Sequence, residues 1–133
     1  MDAAPTAFFN KTYDETIALL YEARNYVAAT RRPGPVEAST DRLRVSCETM
    51  RLTARLTQVM AWLLGQKAVH AGEITMEQLV EEHQPLIEVA VCMEDGEAQV
   101  DGLPSALREL LDRTHRLYIR VARLDEMVRR RID

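Results

Sequence analysis

Apolar side chains recur along residues 43–69 in two stripes. Val45, Leu52, Leu56, Val59 and Leu63 step mostly by three, four or seven, the recurrence of one helix face. Leu43, Cys47, Met50, Ala54, Ala61, Leu64 and Ala68 form the second stripe, in which the small residues Cys47, Ala54, Ala61 and Ala68 return every seven positions. Small side chains at that interval let another backbone approach, so these four are expected to form a close-packing stripe. With neither Pro nor Gly across residues 50–64, nothing opposes a helix there. A helix apolar on two sides is normally covered on two sides. The pattern therefore predicts a central helix around which the other segments pack.

The remaining periodicities place the neighbours. Leu103, Leu107, Leu110, Thr114, Leu117, Val121, Leu124 and Val128 keep a 4-3-4-3 spacing, the most regular seam in the chain. Pro104 and Ser105 suit the start of that helix, and Arg129, Arg130 and Arg131 suit its C-terminal dipole. Phe9, Tyr13, Ile17, Leu20, Ala23 and Val27 predict a first helix ending near Thr30, with Thr12 and Glu15 as a capping box, Asn10 as an alternative cap, and residues 1–9 as a lead-in. Pro33 and Pro35 break residues 31–35. The central helix is predicted to start at Ser39 or Thr40 and to stop at about His70, where Gly72 can take the left-handed conformation. Gly65, inside it, marks a close approach. Thr75 and Gln78 form a capping box for a short helix, Pro85 interrupts it, and residues 86–93 read as a helical piece or an ordered loop.

These elements predict one domain over residues 1–133. It is an all-α, up-down-up three-helix bundle with a short helical excursion between the second and third long helices. Three thin helices leave apolar area uncovered, so a homodimer with a two-fold interface is expected.

Composition narrows the class. No apolar run reaches the ~18 residues of a membrane span, and no basic-then-apolar leader is present, so the cytoplasm is the expected compartment and no membrane partner is expected. Two distant cysteines, Cys47 and Cys92, do not make a disulfide framework. The net charge of -4 is unevenly spread: residues 73–101 hold nine acids and no Lys or Arg, while residues 103–133 hold eight Arg against five acids. Such a division serves contacts within the chain, between copies, or with a partner.

Catalytic signatures are absent from the sequence: no phosphate loop, no His-Glu-x-x-His, no Gly-x-Ser-x-Gly. The nearest approach to a di-iron motif is one Asp112–His115 pair, which leaves His115 as a surface or edge histidine. Glu94, Asp95, Glu97 and Asp101 lack the spacing of a calcium loop. Cys47 is expected to be a packed thiol, and Cys92 an unreactive one among acids. No cofactor, no metal and no catalytic residue is predicted. Arg113, Arg116, Arg129 and Arg130 each follow an acid by four residues, the favourable order, whereas Arg120 and Arg123 do not. Trp62 ends the otherwise polar stripe Arg44, Glu48, Arg51, Arg55, Gln58. Arg51, Arg55, Trp62, Arg120 and Arg123 are therefore the candidate protein-binding residues. The alternative is that the first helix or the acidic segment covers them. Nucleic acid is disfavoured by the net charge and the few aromatics.

Met50-Arg51-Leu52-Thr53, Arg55-Leu56, Trp62-Leu63-Leu64 and Gln66-Lys67-Ala68-Val69 resemble the centre of a small alphaproteobacterial family, that of regulators of CtrA degradation, over residues 45–82. The resemblance implies a non-catalytic adaptor in regulated, Clp-type, ATP-dependent proteolysis of a cell-cycle transcription regulator. The protease, its substrate or a second adaptor would then be partners. The better-known member has a flexible tail after its last helix, whereas this sequence runs to Asp133, so contacts made by such a tail are not expected here. The alternatives are a DNA-binding regulator, a generic helical interaction module or, less readily, an enzyme built on a bundle.

Overall fold

The computed structural model describes residues 3–30, 39–94 and 102–132, and all the regular structure among them is helical. The long helices are α1 (Ala3–Thr30), α2 (Ser39–His70) and α5 (Ser105–Ile132). Between the last two lie α3 (Met76–Glu82), a 3-10 turn (Leu86–Glu88) and α4 (Ala90–Met93). The predicted break at residues 31–35 lies outside the described residues, as do residues 36–38 and 95–101.

α1 begins earlier than its sequence suggests. Pro5 lies in the first turn, where N–H groups have no helical partner, so nothing delays the start. Thr12 is therefore not a cap. It is buried, its carbonyl accepts a 2.7 Å bond from the Thr16 hydroxyl, and Thr12, Thr16, Leu19 and Ala23 form the innermost face. Back-bonding satisfies the hydroxyl and lets a threonine replace an apolar residue inside. Phe9, Tyr13 and Leu20 flank that face, half-buried.

The end of α2 follows the expected pattern. Gly72 has φ +76, its N–H reaches Val69 O at 3.0 Å, and Glu73 N–H reaches Ala68 O at 3.0 Å, a Schellman closure. The Thr75–Gln78 capping box is formed in both directions. Gly65 does mark a close approach: a Cβ there would lie 2.6 Å from Leu79 Cδ1 of α3. Leu52, Leu56, Val59 and Leu63 of α2 meet Leu107, Leu117 and Val121 of α5 in the core, and the α5 seam is buried or half-buried along its whole length.

The up-down-up topology needs correction. α1 runs antiparallel to α2: Phe9 meets Trp62 edge-on and His70 at a tilt, while Leu20 and Ala23 share a groove with Thr53 and Leu56. α1 is also antiparallel to α5, with Glu15 paired to Arg120 and Glu22 to Arg113. α2 and α5 are parallel, because Arg55 meets Thr114 and Trp62 meets Asp125. The order is up-down-down. The excursion runs back along α2, from Leu79 beside Gly65 to Glu94 beside Arg51, so α5 restarts beside Arg44 and descends again. A long crossover connection is what parallel neighbours require.

Candidate functional site

Two polar struts fix the excursion between α2 and α5. The first is Arg55, whose side chain is only 1% exposed. Its Nε donates to Cys92 O at 3.0 Å and its Nη1 to Leu111 O at 2.9 Å and Thr114 Oγ1 at 3.3 Å. Its Nη2 donates to Glu94 O. Arg51 donates to Val91 O at 2.7 Å and pairs with Glu48 and Glu94, each at 3.2 Å. His115 Nε2 lies 2.9 Å from Met93 O, which places a proton on that nitrogen. The carbonyls of residues 91–94, left without helical partners at the end of α4, are thus each taken by Arg51, Arg55 or His115.

The second strut is Asp125, 4% exposed. Its carboxylate accepts from Trp62 Nε1 at 3.1 Å, from Leu86 N–H at 3.0 Å and from Arg129 Nε at 3.0 Å. The Tyr118 hydroxyl donates to Leu86 O at 2.6 Å, and Arg129 Nη2 to His83 O at 2.9 Å. Burial pushes the Tyr118 phenol and the Cys92 thiol above their ordinary ranges. Cys92 is protonated because it is dry, then, and not because acids surround it.

These contacts reassign the candidate binding residues. Arg51, Arg55 and Trp62 face the excursion, and Trp62 is 8% exposed with Phe9 edge-on at 5.9 Å. Arg120 is bound by Glu15 of α1. Arg51, Arg55 and Trp62 offer no free surface, whereas Arg120 stays exposed beside its partner. Of the five, Arg123 alone is left exposed on α5 with no ion-pair partner among the described residues. The stripe Cys47, Ala54, Ala61, Ala68 makes no close helix contact within the chain at Cys47 and Ala61, which are exposed, so Cys47 is not a packed thiol. Leu43, Met50 and Leu64 on the same side are 64%, 72% and 52% exposed. The sequence missed Asp125 and Tyr118, whose work is to hold the Leu86 backbone. Asp125 sits one position from Leu124 of the seam, and that placement was the available signal.

Arg113 joins α5 to α1 through a two-pronged pair with Glu22, at 2.7 and 2.8 Å. Hydrogen bonds from Arg113 hold the Glu22 carboxyl below its ordinary 4.5. The stabilisation is therefore complete above that value and is lost as pH falls through the lower folded value. Glu22→Gln is expected to flatten the acid limb of a plot of melting temperature against pH. An acid limb identical to wild type would show that the pair contributes nothing.

Among the described residues no group of three His, Cys, Asp or Glu is placed to hold a metal, and no helix is long and apolar enough to cross a membrane. The groove between α2, α3 and the end of α5, lined by Trp62, Gln66, Met76, Leu79 and Val128, encloses about 30 Å3. That is room for water and not for a metabolite.

The whole chain, residues 1–133, matches the family described as Protein of unknown function (DUF1465). It belongs to that family. The chain is also similar to RcdA, the regulator of CtrA degradation, from Caulobacter crescentus CB15: 35% identity, 91% of each chain covered, and a TM-score of 0.66. No curated protein matches the sequence. The similarity to RcdA covers 91% of the chain and so reaches well past the 45–82 segment that carries the sequence resemblance.

Proposed function

We propose that this protein is a non-catalytic regulator of proteolysis in the manner of RcdA, tethering a CtrA-like transcription regulator to a Clp-type ATP-dependent protease. The observation that carries this reading is the similarity to RcdA over nearly the whole of both chains. The geometry is in keeping with it. The buried groups Arg55, Asp125 and Tyr118 each spend hydrogen bonds on the backbone of the excursion. A tether works by raising effective concentration and needs no bond chemistry. The test is the half-life of the CtrA-like protein after synthesis is blocked. Deleting the gene should lengthen it severalfold, and an unchanged half-life would overturn the reading.

The tether acts as a homodimer, joined through the exposed side of α2 that carries Leu43, Met50, Ala61 and Leu64. A two-fold axis would set this patch against its own copy. Light scattering at micromolar concentration should give twice the 15.2 kDa chain mass. Met50→Glu with Leu64→Glu should return it to one chain mass without lowering helix content. A wild-type monomer rejects the dimer.

A further inference from the structure

The arginines of α5 fall into two groups. Those facing other elements are bound beyond their own helix: Arg113 by Glu22, Arg120 by Glu15, and Arg129 by the His83 carbonyl in addition to Asp125 of α5 itself. Those facing outward are not. Arg116, Arg123 and Arg130 stand seven residues apart on one side of the helix, with Arg108 eight residues before them. The side chains of Arg116 and Arg130 are 73% and 78% exposed, and each is paired only with the acid four residues earlier, Asp112 or Glu126. Exposed pairs of that kind hold an arginine weakly. Arg123, between them, is exposed and without an ion-pair partner among the described residues. Ile119, half-buried, and Met127, 51% exposed, lie within the same column.

We infer that this outer face of α5 is a docking surface for an acidic amphipathic helix of a partner protein. The inference deepens the tether reading, on which it rests for its role. A helix laid alongside another returns to the same side every seven residues. Carboxylates at that period on the partner meet Arg116, Arg123 and Arg130 in turn, in the two-pronged geometry that guanidinium favours. Apolar residues between them cover Ile119 and Met127. A nucleic acid fits the face less well. It has nothing to offer the two apolar side chains, Ile119 and Met127.

The full-length protein is titrated with a synthetic three-heptad peptide carrying Glu and Leu at seven-residue intervals, a scrambled peptide of the same composition, and a short DNA duplex. The repeating peptide should bind about tenfold more tightly than the scrambled one. Combined Arg116→Gln, Arg123→Gln and Arg130→Gln should weaken it by about tenfold with the melting temperature unchanged, while Arg24→Gln, away from the face, should change nothing. If the triple variant is destabilised, Arg123→Gln alone, which loses no internal pair, must still weaken binding. Equal binding of the two peptides, equal binding by the variants and wild type, or tighter binding of the duplex through the same arginines would each overturn the inference. The two readings fail separately. Lost docking with an intact effect of gene deletion on CtrA half-life rejects the face alone. Intact docking with no effect of deletion rejects the tether alone.

Discussion

Arg55→Met is expected to cost about 3–5 kcal/mol of folding free energy and to lower the melting temperature by roughly 10–20 °C. The methionine fills much of the volume, so the loss is polar. Cys92 O and Glu94 O lose the donor that stands in for a next helical turn, and Leu111 O and Thr114 Oγ1 lose it as well. A buried carbonyl without a donor keeps its full desolvation cost. Arg55→Lys restores the charge but reaches with one nitrogen where the guanidinium spans three acceptor directions, so it should recover only part of the loss. Denaturant unfolding measures both. A methionine variant within about 1 kcal/mol of wild type would show that the strut is dispensable.

Asp125→Ala is expected to cost about 2–4 kcal/mol and, more tellingly, to free one segment before the rest. It strands three donors, from Trp62, Leu86 and Arg129. The Leu86 amide should then exchange with solvent faster than the amides of the Leu52–Leu63 core, because the excursion keeps few other anchors near it. Trp62→Phe removes only one of the three bonds and should leave Leu86 protected. Equal protection of Leu86 in wild type and the alanine variant would sink the assignment of Asp125 as a clamp.

Much of this fold is legible in spacing. The α5 seam, the Gly72 stop, the Thr75 cap and the close approach at Gly65 all follow from local chemistry and appear where that chemistry puts them. The direction of α5 does not, because a 4-3-4-3 seam names a face and is silent about which way the helix points. For a related reason the sequence leaves open whether Arg51, Arg55 and Trp62 face a partner or are covered by the acidic segment. Arg44, Glu48, Arg51, Arg55, Gln58 and Trp62 share one side of α2, and a polar side normally meets water. Here much of it meets the end of α4, and the acceptors that make a dry guanidinium tolerable are carbonyl groups, which a sequence of side chains does not display. The excess of arginine over acid in residues 103–133 pointed to surface chemistry, but only coordinates separate Arg120, tied to α1, from Arg123, tied to nothing described.

Beside its buried side chains, the excursion is gripped by its peptide groups: the N–H and carbonyl of Leu86, and the carbonyls of His83, Val91, Cys92, Met93 and Glu94. Every residue type supplies a carbonyl, and only proline lacks the N–H. Evolution is therefore free to rewrite the outward side chains there, Ile87, Glu88, Ala90 and Val91 among them, without loosening their attachment. A library randomised at those four positions should return mostly folded proteins, whereas one randomised at Arg51, Arg55, Tyr118 and Asp125 should return few. The scaffold holds that stretch as a printer's frame holds type, fixed in place whatever the letters spell.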